Sequence, residues 1–265
     1  MPRSSVITTR QLVRRELYSA YKTKKILALL LVLIASAGLA ITMAVFSKEI
    51  LAYALGSELG EAFSSEILPE ATDATAWQQW TNNLVQMVAL IIGVITAYDA
   101  QRAVHSPAGH LLLTRPLRRM SVLNAQLLAN MAIFLATTAV GSGIMIASAY
   151  ALFDEVDLVP LWGGLGVWVV CAIVMAVGGQ FFGVVIKNRA GAIGAIVGMY
   201  FVFLTVGAIR IFAQYTPAGL YTLPTTIAGG AQVETSAIWW PVITGLGMVI
   251  ALYALMARIF TTKDL

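Results

Sequence analysis

The sequence predicts an all-α membrane protein with six transmembrane helices, preceded by one amphipathic helix. Hydrophobic residues make up 59% of the 265 residues and charged residues only 11%, whereas soluble domains are about half apolar and a quarter charged. The mean hydropathy is +0.82. Six apolar runs approach or exceed the roughly 20 residues that cross a bilayer. They cover residues 26–46, 83–98, 123–153, 161–186, 190–212 and 239–260, within one transmembrane domain at 26–265.

The first 25 residues predict an amphipathic helix on the cytoplasmic side of the membrane. Its apolar residues recur at helical spacing, and its basic residues occupy the remaining positions; the two sets are Leu12, Val13, Leu17, Tyr18 and Tyr21, and Arg10, Arg14, Arg15 and Lys22. Two interpretations are open: an anchor to anionic lipids, or a lever that also contacts a cytoplasmic partner. The apolar run that follows is too long for a signal peptide, so we expect it to be retained.

The distribution of charge predicts the orientation of the chain. Basic residues near span ends stay in the cytoplasm, and 15 of the 17 lysines and arginines lie on one side of the predicted spans. Most acidic residues lie on the other side. We therefore expect a multi-pass protein of the cell membrane with both termini cytoplasmic, an inner loop at 99–122 and an outer loop at 47–81. This topology accounts for the net charge of +4 without a nucleic-acid partner.

Motifs for catalysis, cofactors and metals are not found in the sequence. It has neither a phosphate-binding G-x-x-x-x-G-K-[ST] loop nor a G-x-S-x-G nucleophile elbow. His105 and His110 are five residues apart, which does not place both on one helix face as a zinc helix requires. Cys171 is the only cysteine. We therefore expect no enzymatic activity of its own, no cofactor and no metal site.

Ionisable residues are nearly absent from the predicted spans, which disfavours an ion-coupled transporter. Asp99 lies at the cytoplasmic end of the second span, and Arg210 lies near the outer end of the fifth. Four uncharged polar residues lie deeper, and we expect each to form hydrogen bonds between helices; they are Gln86, Asn124, Asn130 and Gln180. A transporter of this kind would need a partner to supply energy.

The inner loop contains a short helix candidate, 108–114, followed by a basic turn. Leu111, Leu112 and Leu113 are too few to cross a bilayer and too apolar for a solvated loop. Pro116 ends the helix. The turn also holds three arginines, Arg115, Arg118 and Arg119. Either the leucines fill a groove on a partner, or they lie on the membrane while the arginines act as positive-inside anchors.

The stretch that contains this loop resembles a known family. Residues 97–130, AYDAQRAVHSPAGHLLLTRPLRRMSVLNAQLLAN, are similar to the permease subunits of ABC-2 type exporters. In these a span is followed by a leucine run, a PxxR turn and a third span rich in small residues. Residues 257–265, ARIFTTKDL, resemble the family's short mixed-charge ending. The number of spans, the orientation and the basic N-terminal helix also fit, so the resemblance extends over essentially the whole chain.

The resemblance implies a permease that forms the translocation path of an exporter and works with a separate cytoplasmic ATPase, present in two copies. It implies a second permease copy, identical or related, and contact with membrane lipids. The loop would be a coupling helix, in which Leu111, Leu112 and Leu113 fill a groove of the ATPase. Arg115, Arg118 and Arg119 would contact the ATPase or lipid phosphates. The family's ExxxGT-like acidic stretch is replaced here by AVHSPAG, residues 103–109, so no gate residue is assigned.

Two further features concern the outer side and the packing of the spans. Residues 213–237 carry one charge and are broken by proline and glycine, which predicts short helices that dip back into the outer leaflet. The outer loop predicts a helical cap or a solvated linker. Small residues in spans four and five favour close packing within the chain over a dimer interface; these are Gly178, Gly179 and Gly183, and Gly191, Gly194 and Gly198.

The sequence therefore favours an ABC exporter permease. The alternative is a membrane scaffold or assembly factor that transports nothing, with the arginine-rich loop as a lipid anchor. The substrate is left open: within the resemblance it includes lipids, hydrophobic peptides, drugs, and the sulfur or copper delivery linked to nitrous oxide reductase maturation.

Overall fold

The computed structural model describes residues 9–55, 71–106 and 119–262, and this part of the chain contains helices but no strand. The helices in chain order are α1 (Thr9–Lys22), α2 (Lys25–Leu55), α3 (Asp73–Asn83), α4 (Ala89–His105), α5 (Arg119–Leu152), α6 (Val159–Val185), α7 (Arg189–Gly207), α8 (Arg210–Tyr215), α9 (Leu223–Ala228) and α10 (Thr235–Thr262). A π-helical turn, Leu84–Val88, joins α3 to α4, and a 3₁₀ helix, Pro217–Tyr221, lies between α8 and α9.

The described residues include six helical segments that are long and apolar enough to cross a membrane, which confirms the predicted number of spans. They are Lys25–Ser47, Asp73–His105, Met120–Leu152, Val159–Val185, Arg189–Gly207 and Thr235–Phe260. The part of the chain that the structure describes is therefore all-helical, and its six apolar helices indicate a multi-pass membrane protein.

The second span begins at Asp73, ten residues before the predicted start at 83. Thr72 caps α3, because its side chain accepts a hydrogen bond from the Thr75 backbone. Polar residues lower the mean hydropathy of α3, yet its Trp77 and Trp80 are fully buried. The indole of Trp77 donates to the Asp157 carbonyl at 2.9 Å. These contacts, which hydropathy does not report, extend the span.

Helix α6 is the centre of the bundle and packs against α4, α7, α9 and α10. Its glycines allow the backbone of α4 to approach closely. A Cβ atom at Gly179 would collide with the Gly93 carbonyl oxygen, and one at Gly183 would collide with the Ala97 carbonyl oxygen. Gly178 similarly contacts the Met199 side chain on α7. The prediction of close packing within the chain is confirmed for these three glycines of span four.

The same prediction is wrong for two of the three glycines in span five. A Cβ atom at Gly194 or Gly198 would meet no described atom within 4 Å, because both residues lie on the face of α7 that points away from the bundle. Gly191 does pack, against the Ile186 side chain. Residue type alone does not distinguish the two faces of a helix that is apolar all around.

Three of the four deep polar residues bond between helices, as predicted. The Gln180 amide donates to the Leu123 carbonyl at 2.7 Å, and Asn124 accepts from the Tyr253 hydroxyl at 2.9 Å. Asn130 belongs to the cluster described below. The prediction is wrong for Gln86, whose side-chain amide donates to Asn82 one turn earlier in its own helix. A partner within the same helix satisfies this side chain equally well.

The segment after α7 folds back onto the bundle as short helices. Span five ends at Gly207 rather than at 212, since the chain turns at Ala208 and Ile209 before α8 begins. The 3₁₀ helix then buries Leu220 and Tyr221 against α6, α7 and α10. The short helices expected at 213–237 are therefore present, and their depth in the outer leaflet stays a prediction.

Candidate functional site

The predicted coupling residues lie at a loop of which the structure describes only the two flanking helices. Leu111, Leu112, Leu113, Arg115, Pro116 and Arg118 lie outside the described residues, and Arg119 begins α5 without a described side chain. The loop is flanked by the end of α4 at His105 and the start of α5. The end of the bundle where these helices meet is called here the basic end.

Helix α1 lies at the basic end, where the sequence predicts an amphipathic helix. Its buried residue Leu12 forms a small cluster with Val122 and Ala125 of α5. Leu17 is half-buried and packs against the main core. The three arginines named from the sequence, Arg10, Arg14 and Arg15, are exposed. The apolar face of α1 therefore contacts α5, and its position on a membrane surface stays a prediction.

One ion pair joins the start of α2 to a helix that flanks the loop. Lys25, at the start of α2, donates to Asp99 of α4 and to Asn130 of α5, at 2.8 Å each. The Asn130 amide also donates to Asp99, at 2.9 Å. The Lys25 and Asp99 side chains are only 19% and 27% exposed. Each member of this triad therefore bonds to both others, and the triad links α2, α4 and α5 in a partly buried setting.

A cavity of about 460 Å³ opens beside the triad, between α1, α4 and α5. Its lining is unusually polar for a bundle of apolar helices. The charged and amide residues that line it are Arg15, Glu16, Lys25, Asp99, Arg102, Gln126 and Asn130. Arg15 and Arg102 are exposed at its edge, whereas Gln126 has a buried Oε1 with no hydrogen-bond partner among the described residues. The cavity therefore has a positive rim and an interior that holds hydrogen-bond acceptors.

The carboxyl group of Glu16 is in an unfavourable setting for ionisation. Burial raises its pKa above the ordinary value of 4.5, and the negative charge of Asp99 raises that pKa further. The cations Arg15, Lys25 and Arg102 oppose both effects without cancelling them. Glu16 has no ion pair within 4 Å with a described residue. The carboxylate thus lacks a close counter-ion in a cavity that contains three cations.

Sequence reasoning noted Asp99 and Asn130 separately and did not bring the cavity together. Lys25 and Arg102 enter only the count of basic residues that predicts the topology, Arg15 is also assigned to the N-terminal amphipathic helix, and Glu16 has no predicted role. A signal was present, however. Of the 13 acidic residues, Glu16 and Asp99 are among the few that lie on the side predicted to be basic. An acidic residue on a basic side is expected to lie near a basic residue, and the structure places Glu16 and Asp99 in the lining of one cavity.

The remaining candidate from the sequence, the histidine pair, is only partly described. A ring nitrogen of His105 lies 3.2 Å from the Val184 carbonyl oxygen, which fastens α4 to α6. His110 lies outside the described residues.

Comparison with known proteins adds no family: the sequence matches no protein-family model and has no significant match among curated proteins.

Proposed function

We propose that the chain is the permease subunit of an ABC exporter of the ABC-2 type, driven by a separate cytoplasmic ATPase. Six membrane-spanning helices and the resemblance at 97–130 and 257–265 support this function. A membrane scaffold that transports nothing is the alternative, and the experiment below distinguishes the two.

The observation that carries the proposal is the set of hydrogen bonds that joins the two helices flanking the loop at 107–118 to each other and to α2. Its flanking helices α4 and α5 are joined to each other through Asp99 and Asn130, and both are joined to the α1–α2 corner through Lys25. A force applied to the loop by a partner would therefore act on several helices together. A solvated linker or a lipid anchor has no need of such a connection.

The proposed complex contains two copies of the ATPase and a second permease. Binding of ATP would draw the two ATPases together, and the loops would pass this movement to the spans. The face of α7 that holds Gly194 and Gly198 is covered by no described residue, and it supports contact with a second permease copy, because small residues allow close approach of helices.

The test is co-purification with a Walker-type ATPase, whose gene we expect to lie beside the gene for this chain. Leu112→Asp places a charge in the apolar groove that we infer on the ATPase, so we expect recovery of the complex to fall at least about tenfold. Leu265→Asp is the matched control, since it adds the same charge near the C-terminus, outside the loop, and we expect it to leave recovery unchanged. Both variants are checked for membrane insertion.

Two results would contradict the proposal. If no neighbouring gene encodes a Walker-type ATPase and none co-purifies, the scaffold becomes the better description. If Leu112→Asp retains the complex as well as Leu265→Asp does, the loop is not the coupling element.

A further inference from the structure

The cavity at the basic end has the charge arrangement of a receptor for a zwitterion. Lys25 and Asp99 neutralise each other in the triad. This leaves the exposed Arg15 and Arg102 and the half-buried Glu16, and none of the three forms an ion pair within 4 Å with a described residue. Two exposed positive groups and one more buried negative group would suit a ligand whose cation is buried more deeply than its anion.

The level of the cavity along the bundle limits what this ligand can be. Lys25 is both a wall of the cavity and the first residue of the first apolar span. Asp99 lies six residues before the end of α4. The cavity is therefore at the depth where apolar helices leave the hydrocarbon, which is the headgroup layer of the bilayer. Ile95 and Ala20 form apolar parts of its lining.

The hydrogen-bond groups of the cavity match a particular headgroup. Arginine is the side chain best suited to bind a phosphate group through two parallel hydrogen bonds. The cavity also offers the half-buried Glu16 carboxyl group and the buried Gln126 Oε1, which has no hydrogen-bond partner among the described residues, and both groups accept hydrogen bonds. In phosphatidylethanolamine the phosphate lies nearer the glycerol and the ammonium, with three N–H donors, lies at the tip. A headgroup that enters tip first would place each group opposite its complement.

We propose that this cavity binds the headgroup of phosphatidylethanolamine, with the phosphodiester between Arg15 and Arg102 and the ammonium near Glu16 and Gln126. The raised pKa of Glu16 is consistent with a carboxylate that lacks a counter-ion until the ligand arrives. The proposal does not depend on an ATPase or on export. It describes a lipid bound where α1 meets α4 and α5, beside the triad that joins α2, α4 and α5.

The test is native mass spectrometry of the purified, delipidated full chain with defined lipids. The probes are phosphatidylethanolamine, phosphatidylcholine, whose trimethylated headgroup has no N–H donor, and diacylglycerol, which has no phosphate. We expect phosphatidylethanolamine to bind at least about tenfold more tightly than either, because charge-assisted hydrogen bonds are the strong ones. Equal binding of phosphatidylethanolamine and phosphatidylcholine would overturn the assignment of the interior.

The chain offers a matched pair of variants on one helix. Arg15→Gln and Arg14→Gln each remove one positive charge from α1, but only Arg15 lines the cavity. We expect Arg15→Gln and Arg102→Gln each to weaken binding about tenfold, and Arg14→Gln to change it less than about twofold. Equal losses for Arg14→Gln and Arg15→Gln would mean general surface attraction and would overturn the site.

Two further arms separate the lipid from its headgroup and test the ammonium contact. Glu16→Gln removes the carboxylate, and we expect the preference over phosphatidylcholine to disappear. Free phosphoethanolamine has the headgroup without acyl chains, and we expect it to compete only at concentrations at least about a hundredfold higher, since it buries no apolar chain. Competition at equal concentration would overturn the assignment to a lipid.

Discussion

The two ends of the helix bundle are held together by different physical means. At the end opposite the basic end, short helices are fitted against backbone: Gly164 of α6 contacts the Pro224 carbonyl oxygen, and Gly207 of α7 contacts that of Ala218. At the basic end a lysine, an aspartate and an asparagine bond to one another beside an open cavity. The first end is closed by packing against backbone, whereas the basic end combines such packing, at Gly183 against the Ala97 carbonyl oxygen, with a charged cluster beside a cavity.

This difference indicates which end is built to change. Interlocked backbone contacts resist small displacements, because no flexible side chain is available to absorb them. Hydrogen bonds between charged side chains can break and re-form, and their strength varies with ligands and with pH. We therefore expect substitutions at the closed end to affect stability most, and those at the basic end to affect the response to conditions.

The largest effect is expected from a glycine at the closed end. A Cβ at Gly164 would lie 2.7 Å from the Pro224 carbonyl oxygen and 3.0 Å from the Ala228 side chain. Gly164→Val should lower the free energy of unfolding by about 3 kcal/mol, the upper part of the usual cost of overpacking. Thermal unfolding of the purified protein in detergent measures this.

Gly166→Val is the matched control, because it lies two residues along the same helix and its added Cβ would meet no described atom within 4 Å. It carries the same change in helix propensity and should shift the unfolding transition little. Equal effects of the two substitutions would contradict the inference that close packing at Gly164 stabilises this end of the bundle.

A smaller effect is expected from breaking the triad. Lys25→Met leaves the partly buried Asp99 carboxylate with Asn130 alone, which should cost about 2 kcal/mol. Lys22→Met is the control, since Lys22 is exposed, is not a member of the triad, and has its ammonium over the ring of Tyr18 in its own helix. In a double-mutant cycle, adding Asp99→Asn should recover part of the loss. If the effects of the two substitutions simply add, Lys25 and Asp99 do not stabilise each other.

The smallest effect is expected from Glu16 and concerns its dependence on pH. The pKa of this carboxyl is raised in the folded protein, so the folded state binds the proton more tightly than the unfolded state does. Its contribution to stability is therefore fully present below the ordinary value of 4.5 and is lost as the pH rises through the raised pKa. Glu16→Gln should flatten this part of the profile.

Unfolding midpoints measured across this pH range, with and without the substitution, test the expectation. Glu234→Gln serves as the control, because Glu234 is exposed and does not line the cavity. If the unfolding midpoint changes with pH equally in the wild type and in Glu16→Gln, the pKa of Glu16 is not raised by folding.

Prediction from the sequence succeeded where one strong physical signal acts locally. Runs of apolar residues gave all six spans, and the amphipathic spacing before Lys25 agrees with helix α1. Prediction failed where the position of a residue depends on its contacts with another helix. The start of the second span at Asp73 depends on buried tryptophans that bond to other segments, and the open positions of Gly194 and Gly198 depend on which way α7 faces.

The candidate site shows the same limit more sharply. Three elements that are distant in the sequence contribute Glu16, Asp99 and Gln126 to one cavity, and each residue alone has an ordinary explanation. The predicted coupling residues at 111–119 form a compact sequence motif, so they were identified readily, and their role stays a prediction. A cluster drawn from separate helices leaves no comparable motif.

The sequence by itself determined that this chain has six apolar helical segments able to cross a membrane and that its charges are segregated, because the cost of placing polar groups in hydrocarbon acts on each segment independently. Only the tertiary structure decided which helices touch, which glycines are covered and where a lysine meets an aspartate. Those outcomes depend on the rotation and depth of each helix against its neighbours, and neither can be inferred from the sequence of a helix that is apolar on all sides.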